Sequence, residues 1–147
     1  MQDTLKGILA RKGATVHYVV PETPVIDAVR KMNEEHIGAV LVCENGEMVG
    51  IFTERDVLCR IVDEGRSPND TRVVDVMTAE VVSVRPETPV EDAMAIISER
   101  RFRHLPVVSD SGLMGVVSSG DLTEWVSRSQ EGHIRHLEDF INGKYPG

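Results

Sequence analysis

The stretch "GIFTERDV" at residues 50–57 has the pattern of a β-strand that ends where a helix begins, and "GVVSSGDL" at 115–122 repeats it. In each stretch a hydroxyl residue stands three positions before an aspartate: Thr53 before Asp56, and Ser118 before Asp121. The two stretches begin 65 positions apart. The chain is therefore predicted to build one strand-to-helix corner twice.

The repeat extends well beyond this corner. At the same offset "PETPVIDA" at 21–28 aligns with "PETPVEDA" at 86–93 without a gap. Two copies are too few for a solenoid, which needs several stacked units to bury its core. The repeat therefore predicts a pair of units related by a pseudo-twofold axis and sharing one core.

Each repeat begins with a strand followed by a helix. In the first copy "TVHYVV" at 15–20 is rich in β-branched residues and predicts a strand. Thr23 followed by Pro24 predicts a helix start, with the hydroxyl as cap and proline at the first helical position. Apolar residues then recur at helical spacing.

The rest of each repeat is a hairpin and a second helix. "AVLVC" at 39–43 and "MVGIF" at 48–52 predict strands, and the Asn-Gly between them favours a tight turn. Thr53 opens a helix predicted to run to about Glu64. Each unit is thus β-α-β-β-α, an α/β fold with short flanking helices.

These signals divide the chain into five parts. They are an N-terminal helix and lead-in (1–14), repeat 1 (15–64), a linker and lead-in (65–78), repeat 2 (79–128) and a helical tail (129–147).

Composition excludes several classes of protein. Hydrophobic content of 41% supports a packed core, and charged content of 27% is that of an ordinary soluble surface. The net charge of -8 has the wrong sign for a nucleic-acid or membrane-surface binder. With no spanning apolar run and no signal-peptide pattern, we expect a cytoplasmic protein with reduced, buried thiols at Cys43 and Cys59.

Both copies contain, in the same order, a TPV motif, a hairpin and the motif G-h-h-[ST]-x-x-D, where h is an apolar residue, and the second copy also contains "RHLPVV". This ordered set resembles a pair of cystathionine-β-synthase (CBS) domains, the Bateman module. The resemblance covers residues from about 8 to 127, nearly the whole chain. With no catalytic domain attached, the chain is similar to the stand-alone bacterial CBS-pair proteins.

The corner has two interpretations. A helix N-terminus attracts an anion, a cap hydroxyl adds a donor, and a nearby carboxylate suits a vicinal diol, which together match a ribonucleotide. A hydroxyl followed three residues later by an acid is also the outline of a capping box, which binds nothing. The resemblance favours the ligand, since in CBS pairs this hydroxyl contacts phosphate and this aspartate holds the ribose.

The resemblance implies two clefts, each joining the corner of one repeat to the lead-in and second strand of the other. The first cleft would contain Thr53, Asp56, Met77, Thr78, Val82, Phe102, Arg103 and His104. The second cleft would contain Ser118, Asp121, Lys12, Gly13, His17, Ile37 and Gly38.

The two clefts are expected to differ in charge. Arg103 and His104 correspond to Gly38 and Ala39 in the first repeat, so the Asp56 cleft is predicted to favour more phosphate. Some nucleotide-sensing relatives carry this basic pair in the order His then Arg, which leaves open which of the two reaches the ligand here.

These observations predict a regulatory module that binds an adenine nucleotide, AMP, ADP, ATP or NAD(H), and signals to a partner. The alternative is a ligand-independent dimeric scaffold. An enzyme is not expected, because no nucleophile, base, metal set or phosphate loop stands out. His133 and His136 share a helical face but lack a third ligand, so no metal is expected.

The tail "SRSQEGHIRHLEDFINGKYPG" lies outside the repeat. Ile134, Leu137 and Ile141 form an apolar stripe at helical spacing. The stripe packs either on its own core or on a second chain. We expect a homodimer, since CBS pairs commonly associate in twos, with the tail and the helix in "TLKGILARK" contributing contacts.

Overall fold

The computed structural model describes residues 3–13 and 15–129 of the chain. The first half contains helix α1 and the complete first repeat. Its elements are α1 (Leu5–Lys12), β1 (Tyr18–Val19), α2 (Val25–Glu35), β2 (Ala39–Glu44), β3 (Glu47–Thr53) and α3 (Glu54–Asp56), which continues as π-helical turns over Val57–Val62. The strands form a sheet in the order β1-β2-β3, with β1 parallel and β3 antiparallel to β2.

The second half repeats this arrangement. Its elements are α4 (Val73–Val76), α5 (Val90–Arg100), β4 (His104–Ser109), β5 (Gly112–Ser118) and α6 (Ser119–Ser129). Strands β4 and β5 are antiparallel, and a parallel bridge from Val84 to Val107 stands where β1 does in the first repeat. The helix ends match as well, since His36 and Arg101 both take positive φ after α2 and α5.

The hairpin between β2 and β3 follows the sequence prediction. Asn45 and Gly46 have φ of 53° and 80°, as a type I′ turn requires at both central positions. The twist of this turn matches that of the flanking strands. Strand β3 then ends at Thr53, directly before α3.

Each core is completed by a helix that precedes the other repeat in sequence. Leu5, Ile8 and Leu9 of α1 are buried in the core of the second repeat. Val73 and Val76 of α4 are buried in the core of the first. The two repeats are therefore interlocked around two cores, not the single shared core that the repeat predicted. The apolar face of α1 is buried within its own chain.

Several sequence predictions need correction. The Thr23 hydroxyl does not cap α2; it accepts a hydrogen bond from Val20 N–H at 3.2 Å, and Pro24 is the cap residue. Strand β1 spans two residues rather than the six of 15–20. Cys59 is exposed, and burial raises the pKa of the half-buried Cys43 thiol.

The predicted tail stripe and the pair His133 and His136 lie outside the described residues. Across 3–13 and 15–129 no helix has the length and apolar character needed to span a bilayer.

Candidate functional site

A cavity of about 240 Å³ lies between the two repeats, beside the Ser118–Asp121 corner. The first half of the chain supplies the end of α1, the segments before β1 and after α2, the start of β2 and one residue of β3. The second half supplies the start of β4, the end of β5 and the start of α6. The lining residues are Lys12, Thr15, His17, His36, Ile37, Gly38, Ala39, Val40, Leu41, Ile51, His104, Val116, Ser118 and Asp121.

Asp121 is held at the edge of this cavity by a capping box. Its Oδ2 accepts a hydrogen bond from Ser118 N–H at 2.9 Å, and Ser118 Oγ accepts one from Asp121 N–H at 3.1 Å. Lys12 Nζ donates to the same Oδ2 at 2.6 Å and to the Val116 carbonyl at 2.9 Å. Asp121 Oδ1 accepts no hydrogen bond from the described residues, so one carboxylate oxygen remains available.

The charge state of this corner follows from these contacts. Burial acts to raise the pKa of Asp121, but the hydrogen bonds from Lys12 and Ser118 outweigh it, and the pKa is lowered overall. Asp121 is therefore ionised at neutral pH and paired with an ammonium group that is itself half exposed.

His104 and Gly38 meet across the interface between the repeats. A Cβ atom on Gly38 would lie 3.4 Å from His104 Cε1 and 2.5 Å from Glu54 Oε1, so glycine permits this approach. Burial lowers the pKa of His104, the Glu54 carboxylate acts against this, and Lys12 adds to the lowering. The imidazole is thus neutral at pH 7 and forms part of the cavity wall.

The Asp56 corner has the same capping box but a different environment. Asp56 Oδ2 accepts hydrogen bonds from Thr53 N–H at 3.0 Å and from Thr53 Oγ1 at 3.2 Å. Its Oδ1 accepts a hydrogen bond from Thr78 Oγ1 at 3.2 Å. Asp56 is 5% exposed, and both of its carboxylate oxygens are occupied by the protein itself.

Arg60 closes this corner. Its Nη1 donates to the Val76 and Met77 carbonyls at 3.0 and 2.7 Å, and its Nε lies 3.8 Å from Asp56 Oδ1. A two-way backbone bridge between Ile51 and Thr78, 2.9 Å in each direction, holds the linker against β3. A ligand at Asp56 would have to displace these groups.

The structure divides the residues predicted for the Asp56 cleft. Thr53, Asp56, Met77 and Thr78 come together at the closed corner. Val82 and Phe102 pack against the core of the second repeat. Arg103 is exposed directly before β4, where its carbonyl accepts a hydrogen bond from Ser119 N–H. His104 lies on the wall of the Asp121 cavity.

The residues predicted for the Asp121 cleft stay together with one exception. Ser118, Asp121, Lys12, His17, Ile37 and Gly38 all line the cavity. Gly13 ends α1 with a φ of 93° and does not line it.

Sequence reasoning missed several contributors, of which three matter most to the argument. Leu41 and Ile51 form part of the cavity wall, and Arg60 closes the other corner. The i, i+4 spacing of Asp56 and Arg60 on a predicted helix was the available signal for that pair. The two wall residues are ordinary strand residues and carried no such signal.

Comparisons with known proteins agree with this architecture. The family model for the CBS domain matches residues 6–63 and 73–128. The mitochondrial CBS domain-containing protein CBSX3 of Arabidopsis thaliana is 36% identical over 151 residues, covering 97% of this chain and 73% of that protein. YhcV, a CBS domain-containing protein of Bacillus subtilis, is 34% identical over 119 residues, covering 81% and 82%.

Solved structures give the same result. A protein with CBS domains from Burkholderia ambifaria MC40-6, assigned to signal transduction, superposes with a TM-score of 0.84 at 39% identity, covering 87% of this chain and 96% of that one. The prediction of an α/β fold with two CBS repeats is confirmed. The chain belongs to the CBS domain family and contains one pair of its repeats.

Proposed function

We propose that the chain is a regulatory module that binds an adenine nucleotide in the Asp121 cavity. The observation that carries the proposal is the pairing of Asp121 and Lys12 at the edge of a cavity between the repeats. CBS pairs are generally regulatory and often bind nucleotides, which supports the class of function.

The cavity suits the parts of a nucleotide. Ile37 and Val116 are half-buried in the cavity wall and offer apolar surface for a purine. The available Oδ1 of Asp121 is an acceptor for a ribose hydroxyl, and Lys12 provides positive charge for a phosphate. A volume of about 240 Å³ lies just below the range of about 300–1,000 Å³ usual for ligand pockets, so the phosphates extend toward the opening.

The proposed ligand would signal by changing how the repeats pack. It touches Lys12 and Ile37 from the first half of the chain and Asp121 from the second. A ligand bound across an interface favours the packing in which both sets of contacts form, and shifts the population toward it. A partner protein that recognises this packing would respond to the bound nucleotide.

We place the ligand at Asp121 rather than at Asp56. The Asp56 carboxylate already accepts hydrogen bonds from Thr53 and Thr78 and is next to Arg60. Displacing these groups would cost stability, since a buried donor left without a partner costs about 1–3 kcal/mol. We therefore expect one nucleotide per chain.

Two measurements test the proposal. Mass spectrometry of freshly purified, denatured protein identifies any nucleotide that copurifies. Thermal shift against AMP, ADP, ATP and NAD(H) then measures binding, and ligand at a hundred times its dissociation constant should add about 2.7 kcal/mol of stability. Asp121→Asn is expected to weaken binding, and a 2′-deoxynucleotide should bind wild type more weakly than the ribonucleotide.

The matched control is Asp110→Asn, an exposed aspartate that also pairs with a basic residue, Arg85. It should leave affinity unchanged. If no nucleotide in the panel shifts the melting temperature, or if both variants bind like wild type, the Asp121 site is wrong.

The second candidate is a ligand-independent homodimeric scaffold. Leu58 and Val62 are 64% and 67% exposed on the π-helical turns, whereas the corresponding residues of the second repeat are Thr123 and Ser127. Oligomers occur among the structural neighbours, for example the hexameric CBS-CP12 protein of bloom-forming cyanobacteria, at a TM-score of 0.72 and 27% identity. A second copy of the chain is therefore the proposed occupant of this face.

Light scattering on wild type and on Leu58→Glu/Val62→Glu tests the scaffold. A wild-type dimer that the double variant converts to monomer supports it. A wild-type monomer contradicts the homodimer altogether.

A further inference from the structure

A second depression of about 330 Å³ adjoins the Asp121 cavity, between α1 and α6. We call it the α1–α6 groove; its lining includes Arg11, Lys12, Asp121, Glu124, Trp125 and Arg128. Lys12 and Asp121 line both the cavity and the groove, so their ion pair separates the two spaces.

Trp125 gives the groove a fixed floor. Its Nε1 donates to Asp3 Oδ2 at 3.0 Å, and a Cβ atom on Gly7 would lie 3.1 Å from its Cη2. The Arg11 guanidinium lies over the same ring, with Cζ 5.5 Å from the centroid. A guanidinium stacked on an anchored indole is held in place before any ligand arrives.

The groove brings three basic side chains and two acidic ones together, in a chain of net charge -8. Arg11 forms no ion pair with the described residues, so its donors are available for an anion. Arg128 is paired with Glu124 at 2.9 Å, and Lys12 with Asp121 at 2.6 Å. Both of these pairs are partly exposed, and exposed pairs exchange partners at small cost.

We propose that the α1–α6 groove binds the β- and γ-phosphates of an adenine nucleotide whose nucleoside lies in the Asp121 cavity. The inference rests on the proposed function and narrows its ligand class to nucleoside di- and triphosphates. Lys12 stands at the junction, and its ammonium group donates to Asp121 Oδ2 and to the Val116 carbonyl, which leaves its third hydrogen for the phosphate chain. Arg11 then supplies planar donors that match phosphate oxygens.

Isothermal titration calorimetry in magnesium-free buffer tests this with adenosine, AMP, ADP and ATP on the full chain. Wild type should bind ADP and ATP at least about tenfold more tightly than AMP, the equivalent of about 1.4 kcal/mol. Arg11→Gln should remove most of this gain while leaving adenosine and AMP affinities unchanged. Arg11→Lys, which keeps the charge, should retain part of the gain.

Two further variants sharpen the result. Glu124→Gln removes a competing carboxylate and should tighten ATP more than AMP. Arg30→Gln is the matched control, since Arg30 is an exposed helical arginine that lies 3.9 Å from Asp27, outside the groove. It should leave all four affinities unchanged.

The outcomes separate this inference from the proposed function. If adenosine or AMP binds but ADP and ATP bind no more tightly, the groove inference is overturned and the proposed function stands. The same conclusion follows if Arg11→Gln lowers all four affinities equally. If inorganic tripolyphosphate binds as tightly as ATP, the groove is a general polyanion site and the nucleotide assignment is overturned. If none of the four ligands binds, both proposals fail.

Discussion

The Asp56 and Asp121 corners share a sequence pattern and a capping box, yet one is closed and the other open. At the first corner the side chain of Asp56 is 7% exposed, and its carboxylate accepts hydrogen bonds from Thr53 and Thr78. At the second the side chain is 23% exposed and borders a cavity. The capping box is therefore a structural feature of both corners, and the surrounding residues determine whether a ligand has room.

Three pairs of corresponding residues account for the difference. Where the closed corner has Met77, Thr78 and Arg60, the open corner has Lys12, Gly13 and Trp125. Thr78 reaches its aspartate and glycine at the equivalent position cannot. Arg60 ties down the linker backbone, whereas Trp125 turns to Asp3 and Arg11. The differences at these positions leave one corner closed and the other at the edge of a cavity.

The largest expected effect is on stability at the closed corner. Asp56→Ala leaves the Thr53 and Thr78 donors and the Arg60 charge without their acceptor, so the free energy of unfolding should fall by about 2–4 kcal/mol. Asp121→Ala removes a cap at a more exposed site and should cost about 1 kcal/mol. Urea unfolding followed by the fluorescence of the single tryptophan, Trp125, measures both.

Equal losses for the two alanine variants would contradict the comparison. They would mean that the capping boxes, and not the contacts around them, set the energetics of the corners.

Much of the fold followed from the sequence because the signals are local. The 65-residue repeat and the Asn45–Gly46 turn fixed the order of the elements and the hairpin. The position of His104 at the interface between the repeats was harder to predict. His104 was assigned to one cleft by resemblance and lies in the wall of the other, because the choice depends on a close approach to Gly38 across the repeats.

The closure of the first corner depended on similar long-range geometry. Arg60 lies one helical turn beyond Asp56, which the sequence does show, but two of its hydrogen bonds go to backbone carbonyls of α4 and its end. Backbone acceptors carry no residue-type signal, so the sequence does not reveal them. The packing of α1 on the second repeat and of α4 on the first was implied only by the resemblance, because an apolar helix face does not show which core it enters.

The second prediction compares the corresponding glycines of β3 and β5. A Cβ atom on Gly50 would lie 2.5 Å from Met77 Sδ and 3.0 Å from the Thr78 carbonyl oxygen, which is held by the bridge to Ile51. Gly50→Ala should therefore cost about 1–3 kcal/mol by overpacking. On Gly115 the nearest atoms belong only to the Leu9 side chain, at 2.9 Å, so Gly115→Ala should cost less.

The same urea experiment measures both glycine variants. A greater loss for Gly115→Ala would show that the linker at the closed corner yields more easily than the core around α1.

The third prediction replaces Lys12 by its counterpart in the other repeat. Lys12→Met removes a partly exposed ion pair, so the free energy of unfolding should change by less than about 1 kcal/mol. The pKa of Asp121 should rise, because the hydrogen bond from Lys12 helps to lower it. NMR titration of the carboxyl carbon measures the pKa in both proteins; an unchanged value would show that the ion pair does not persist in solution.

The smallest expected effect is a pH dependence at the interface between the repeats. Burial lowers the pKa of folded His104 below its ordinary value of 6.5, and the positive charges of Lys12 and Arg103 lower it further. The carboxylates of Glu54 and Asp121 act to raise it, but they do not cancel the shift. Between the folded and unfolded pKa values the unfolded chain binds more protons, so stability rises with pH across that window. Stability should therefore be lost as the pH falls below about 6.5.

His104→Gln keeps a polar side chain at the wall but removes this titration. Its free energy of unfolding, measured by urea from about pH 7.5 to about pH 5.5, should depend less on pH than that of wild type. The two proteins differ only at residue 104, so the difference between the two profiles isolates His104. Parallel profiles would mean that His104 is equally easy to protonate in the folded and unfolded states, and that the wall of the open cavity is wetter than its burial indicates.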